Sequence, residues 1–360
     1  MPEERRYSPP DPLYEVRVEE SVFVAMRDGV RLSTDLYFPV GVAGPLAVVL
    51  IRTPYNKFSH RAEGSDARIF AGQGYAVAVQ DMRGKFESEG DYTVSAADRA
   101  DGDDAVIWLA AQPWSNGKVG TYGCSYLGEN QLQLAAMRNP RHTCMLPKAA
   151  AGATRYFGVI SGGAIDLLTT VEWFRIAGAK VHPQYPPGIA TEELRRAAPY
   201  YRLAPSLPEI DLDAIVRSLP VIEQLAKAGA PPSDFEGFVS HAPGDPWWEP
   251  FGYVDARDHF DVPALLLDSW YDYGVADTLR FFNLLGSNSE SARGRDNRFV
   301  VIGPGTHCSF ERASEHTMAG ERDLGDARFD YDGLYLRWFD HWLRGAGDGA
   351  FDLPRVTYYV

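Results

Sequence analysis

The chain has 360 residues, 45% of them hydrophobic, and a formal net charge of −14. That length exceeds one small core and suits an enzyme-sized globular protein of two or three structural units. The acidic balance repels nucleic-acid phosphates and anionic lipid, so the expected partner is a small molecule, with no nucleic acid and no membrane.

The opening "MPEERRYSPPDPLYEV" has no apolar signal core, and no run approaches the ~18 apolar residues that a membrane span needs. Three cysteines, Cys124, Cys144 and Cys308, are too few and too odd in number for a disulfide framework, and they lack zinc spacing. A reducing, cytoplasmic location is the expectation.

Residues 14–39, "YEVRVEESVFVAMRDGVRLSTDLYFP", alternate apolar and polar around Asp28-Gly29, which predicts an antiparallel hairpin. The pattern then changes to short apolar runs: "LAVVLIR" (46–52), "YAVAVQD" (75–81), "KVGTYG" (118–123), "ALLLDSW" (264–270) and "FVVIGP" (299–304). Such runs suit strands covered on both faces of a mostly parallel sheet. Helical patterns separate them, among them 98–112, with an acidic first turn suited to the helix dipole, 276–286 and 332–345. The expected fold is α/β, doubly wound.

Residues 156–252 break this rhythm with proline-, tyrosine- and tryptophan-rich stretches such as "HPQYPPG" and "GDPWWEPF", beside helical pieces such as "DAIVRSLPVIEQLAKAG". They read as a helical lid inserted between two sheet strands. The expected division is an α/β domain over 1–155 and 253–348, the lid over 156–252, and a further β segment over 349–360. "FDLPRVTYYV" begins a strand and stops.

"GTYGCSYLGENQ" (120–131) places Ser125 between glycines, after a strand and before a helix. A nucleophile on such a corner stands exposed at the sheet edge, and the following helix aims backbone N–H groups at an oxyanion. The spacing is G-x-S-x-x-G rather than G-x-S-x-G, and a capping serine on an ordinary turn would look the same. A serine hydroxyl needs a base, and in this fold the chain order is Ser, then acid, then His.

Of eight histidines, His307 follows "FVVIGP" on a glycine-rich loop, and Asp272 follows "ALLLDSW" in "WYDYG". Both lie past strand ends, where ligand and catalytic groups collect. His259 precedes a strand, His341 sits on an amphipathic helix, and His60 and His241 lie in loops. Asp268 lies inside a strand and Asp277 at a helix start, where capping accounts for it.

"DGVRLSTDLYFP", "RTPYNK", "QDMRGKFESEGDY", "DGDDAVIWLAAQPWSNGKVGTYGCSYLG", "WYDYG", "GPGTH" and "LRWFDHWLRG" together resemble the cocaine-esterase-like hydrolases, within the Xaa-Pro dipeptidyl-peptidase group of α/β-hydrolases. The resemblance runs from about residue 15 to the end, and that family's serine motif has the same extra residue. It implies an α/β-hydrolase with a mostly parallel central sheet, an inserted helical lid and the start of a missing C-terminal jelly-roll, of which "PRVTYYV" would be the beginning. It implies a triad of Ser125, Asp272 and His307, with an oxyanion hole from the Tyr55 hydroxyl and the Tyr126 backbone N–H. Trp173, in "TVEWFRIAG", would face the acyl pocket from a lid helix.

Two departures stand out: the absent jelly-roll, and "GPGTH" where the family often carries a tryptophan. Asp81, Arg83 and Glu89 read as a structural ion-pair network. Cys124 and Cys308, beside the serine and the histidine, read as small buried filler. The activity implied is acyl transfer to water from a small-molecule ester or amide, without metal or cofactor. Three readings stay open: an esterase of small or aromatic acyl groups; an Xaa-Pro dipeptidyl peptidase or β-lactam side-chain acylase; and a non-catalytic hydrolase-fold protein, against which the intact Ser, Asp and His speak.

Overall fold

A computed structural model describes residues 9–154, 160–161, 164–180, 209–346 and 351–360. The expected hairpin is β1 (Val16–Ala25) and β2 (Arg31–Pro39), turning at Gly29 with φ +87°, a conformation that suits glycine. There follow β3 (Leu46–Thr53), α1 (Asp66–Gly72), β4 (Ala76–Asp81), α2 (Asp98–Ala110), β5 (Ser115–Cys124), α3 (Tyr126–Ala135) and β6 (His142–Lys148). After an insertion come β7 (Ala264–Ser269), α5 (Val275–Ser287), β8 (Arg298–Gly303), α6 (Tyr331–Phe339) and β9 (Val356–Tyr358), α4 being reserved for the insertion's helix Leu167–Ile176.

One nine-stranded sheet runs β1-β2-β4-β3-β5-β6-β7-β8-β9. The pairs β1–β2 and β2–β4 are antiparallel and all others parallel, so the α/β architecture is as expected. Alternate strand residues serve opposite faces. Val49, Ile51, Leu265 and Leu267 pack with α1 and α6, while Val48, Leu50 and Leu266 belong to the clusters around α2, α3 and α5. Covering both faces removes strand side chains from water, which is why these runs are apolar without alternation.

The acidic first turn of α2 has a second use. Asp98 and Asp101 are buried, Arg52 lies 3.9 Å from each, and Arg83 donates to Asp101 at 2.6 Å. Arg83 also binds Asp28, Glu89 pairs with Arg31, and Asp81 accepts the Lys57 backbone N–H at 2.8 Å. The stretch 81–89 therefore serves the structural role expected of it, although through separate partners rather than one shared network.

The insertion lies between β6 and β7. Its described part comprises a two-residue hairpin, α4 and short helices at Leu212–Val216, Gln224–Lys227 and Phe235–Ser240. The proline-rich run at 181–208 lies outside the described residues. Val171, Phe174, Phe235, Phe238 and Trp248 form the insertion's core, which closes against Tyr92, Val94 and Tyr126 of the sheet domain.

The chain end corrects an expectation. Val356–Tyr358 is not left without a partner: it pairs in parallel with Val300–Ile302 as the ninth strand of the central sheet. Trp270 Nε1 holds it further by donating to the Tyr359 carbonyl at 2.8 Å. The strand's partner lies back in the chain, across α6. Among the described residues no helix is long and apolar enough to cross a membrane.

Candidate active site

Ser125 joins β5 to α3 with φ 61° and ψ −131°, a sparsely populated conformation for a residue with a Cβ. The corner is held by the Ser125 N–H on the Lys148 carbonyl at 2.9 Å and by the Ser125 carbonyl, which accepts from Gly128 N–H at 2.7 Å and Glu129 N–H at 2.9 Å. The displaced glycine has a steric reason: a Cβ on Gly128 would lie 2.7 Å from the Lys148 carbonyl oxygen, and one on Gly123 would lie 2.3 Å from Leu127 Cβ. Gly128 lets α3 start directly against β6, and Gly123 lets it turn back closely on the end of β5.

His307 stands on the loop after β8, and its Nδ1 meets Asp272 Oδ2 at 2.6 Å. The other oxygen, Asp272 Oδ1, accepts the Gly274 N–H at 2.9 Å. The competing acids are engaged elsewhere: Asp268 binds the Thr278 hydroxyl and the Ser269 N–H, and Asp277 binds Arg280. Among the other histidines, His259 is exposed beside Glu290, and His341 packs edge-on against Trp342. His60, expected in a surface loop, instead lines the cavity described below.

Tyr55 reaches the same place from the end of β3, its hydroxyl 3.5 Å from Ser125 Oγ. Trp173 of α4 donates its Nε1–H to the Tyr55 oxygen at 3.1 Å and stacks parallel on Tyr126. Enclosure by protein pushes the Tyr55 hydroxyl up to about 12, with the Glu129 carboxyl adding to it and hydrogen bonds from Ser125, Trp173 and the Tyr126 backbone opposing it. Tyr55 thus keeps its proton at neutral pH and remains a donor. The Tyr126 side chain turns away, donating to Asp98 at 2.8 Å, which fixes the start of α3.

A cavity of about 470 Å³ joins these groups: Ser125, Tyr55, Trp173 and His307 all line it, with Tyr273 and Asp66. Tyr273 stacks on His307 at 5.3 Å, a contact the sequence reading missed although "WYDYG" holds the residue beside Asp272. Among the described residues no three His, Cys, Asp or Glu side chains converge as a metal site would.

Cys124 and Cys308 are not filler. They form a disulfide with Cα atoms 5.9 Å apart, while Cys144 is a buried free thiol. An odd, sparse count does not exclude a single bridge between chain segments that the fold brings together.

The loop carrying His307 has a second tether. Glu311 accepts from Lys148 Nζ and the Tyr335 hydroxyl, each at 2.8 Å. Burial opposes ionisation of Glu311, yet the Lys148 ammonium and these hydrogen bonds prevail and hold it down at about 2. A depressed carboxylate stabilises above its unfolded pKa and loses that contribution as pH falls through the folded one. Wild type is therefore expected to exceed Glu311→Gln in stability at pH 7 by on the order of 3 kcal/mol, with the difference shrinking between pH 4.5 and pH 2. Urea unfolding of both proteins across that range checks it; a constant difference would assign Glu311 a purely steric role.

Residues 28–309 match the X-Pro dipeptidyl-peptidase (S15) family. The chain belongs to that family. Among relatives of this S15 member, the cocaine esterase of Rhodococcus sp. (strain MB1 Bresler) is 30% identical over 95% of the chain and 58% of that enzyme. The fold is shared with an aminopeptidase from a marine sediment archaeon, Thaumarchaeota archaeon, at TM-score 0.68 and 22% identity, covering 98% of this chain and 58% of that one. It is shared also with an α-amino acid ester hydrolase at TM-score 0.64 and 23% identity, covering 97% and 57%.

Proposed function

We propose that this S15-family chain is a serine hydrolase that cleaves esters of small or aromatic acyl groups through an acyl-enzyme. The observation that carries the reading is the convergence on one cavity of a strained Ser125, the Asp272-bound His307 and the protonated Tyr55 hydroxyl. Ser125 Oγ attacks the carbonyl while His307 takes its proton through Nε2. Asp272, accepting the Nδ1–H, orients the ring and stabilises its cationic form. Because Trp173 occupies a lone pair of the Tyr55 oxygen, the phenolic proton is free to point at the substrate oxyanion, beside the Tyr126 N–H. His307 then protonates the leaving group, and water releases the acid.

Residues 156–252 would form a lid, with Thr169 and Trp173 of α4 forming part of the cavity wall. The enclosing aromatic rings suit an apolar acyl group. Tyr55→Phe should lower kcat by on the order of 10²–10³ with KM little changed, since the lost donor acts mainly in the transition state. A raised KM at constant kcat would reduce Tyr55 to substrate binding.

A second reading, cleavage of peptides with a free amino terminus, is favoured by Asp66, the one carboxylate among the described residues lining the cavity. Steady-state kinetics on aryl and alkyl esters beside an Xaa-Pro anilide decide between them. Higher kcat/KM on the esters supports the first reading, and a preference for the anilide the second. The cytoplasmic location expected from the sequence would place the Cys124–Cys308 bond in a reducing pool, whereas such bonds persist in oxidising compartments, so the bond weighs against that location.

A further inference from the structure

The sulfur atoms of the disulfide belong to the residues next to Ser125 and His307 in sequence. Cys124 is the last residue of β5, and Cys308 lies 184 residues later on the loop after β8. In the sheet, β6 and β7 separate those two strands, so the bond bridges the carboxyl ends of two intervening strands. Both cysteines are only partly buried, and both line the cavity.

Among the described residues the histidine loop is fastened by His307 on Asp272, by Glu311 on Lys148 and Tyr335, by the Gly305 carbonyl on the Tyr271 N–H, and by Cys308 on Cys124. Only the last connects it covalently to the segment that carries the nucleophile. Cys308 also holds φ 53°, a left-handed conformation that a non-glycine residue keeps when its surroundings impose it.

We propose that Cys124 and Cys308 are positioning residues whose disulfide clamps His307 in register with Ser125, and that a thiol reductant entering the cavity opens the clamp and slows acyl transfer. The inference rests on the proposed Ser125–His307 chemistry. In the opening step a reductant thiolate attacks one cysteine sulfur, the Cys124–Cys308 bond breaks, and a mixed disulfide forms. A second reductant thiolate displaces the remaining cysteine. The reductant leaves as its own disulfide, and the two cysteine sulfurs keep the electron pair and take up two protons. Reoxidation by a small disulfide reverses each step.

The opened form retains all three reacting groups but no longer holds the histidine loop at a fixed distance from the serine corner. A misplacement on the order of 1 Å costs about 10²-fold in rate without weakening substrate binding. The expected signature is therefore a fall in kcat at nearly constant KM.

The test uses the full chain, purified oxidised and then treated with dithiothreitol under native conditions. Alkylation after quenching in denaturant counts the thiols, which should rise from one, Cys144, to three. At three thiols kcat should have fallen by about 10²-fold with KM within a factor of two, and oxidised glutathione should restore it. The double variant C124S/C308S should show the lowered kcat from the start and ignore the reductant. Circular dichroism in both states keeps a loss of folding distinct from a loss of register. Three counted thiols with unchanged kcat would overturn the proposal, as would a fall in kcat that tracks loss of tertiary signal. Failure of the underlying reading looks different: Ser125→Ala would then turn over ester, whatever the redox state.

Discussion

Ser125→Ala is expected to lower ester turnover by ~10⁶ in kcat while leaving the fold in place. The corner is built by the backbone: its N–H on Lys148 and its carbonyl under Gly128 and Glu129 do not involve the hydroxyl. The Oγ contact with Tyr55 is long, at 3.5 Å, so alanine removes little that holds the turn. Alanine also meets the same left-handed φ at no greater cost than serine. What is lost is the hydroxyl at the helix start that lies beside Tyr55, placed to attack a carbonyl there. Far-ultraviolet circular dichroism and initial rates on an aryl ester check both halves. Activity above about a thousandth of wild type would point to another nucleophile.

Asp272→Asn should cost about 10⁴ in kcat, by reversing the imidazole tautomer. The two carboxylate oxygens have different partners, Gly274 N–H on Oδ1 and His307 Nδ1 on Oδ2. An asparagine keeps its carbonyl oxygen toward the backbone N–H and turns its amide nitrogen to His307. That nitrogen donates, so Nδ1 becomes the acceptor and the ring proton moves to Nε2. The nitrogen needed to take the serine proton is then already protonated. The loss should fall on kcat with KM nearly constant, in a protein whose melting temperature stays within a few degrees. An equal loss in Asp268→Asn would assign the orienting role to the wrong carboxylate, since Asp268 is committed to Thr278 and its own strand end.

These three positions were legible because each follows an apolar strand run in the expected order, and strand ends on one sheet edge meet in space. Long-range contacts were not legible. Trp173 was read as a wall of the acyl pocket; its bond to Tyr55 joins residues 118 apart and needs the insertion folded over the sheet. The disulfide was missed for the same reason, with an odd cysteine count as the misleading cue. The pairing of the last strand was not legible either, since its partner lies behind it in the chain, across α6. Local signals did better: the Asp28-Gly29 turn, the unalternating apolar strand runs and the displaced second glycine each show within a few residues of sequence, even where the partner that explains them, as with Lys148 for Gly128, lies farther along the chain.

Whether Ser125 is the nucleophile that His307 activates is decided by treating the full chain with a fluorophosphonate and mapping the adduct by peptide mass spectrometry. One adduct is expected, on the peptide carrying Ser125, forming as ester turnover disappears, absent in Ser125→Ala and slowed in Asp272→Asn. An adduct on a different residue, or ester turnover persisting undiminished in protein fully labelled at Ser125, would contradict it.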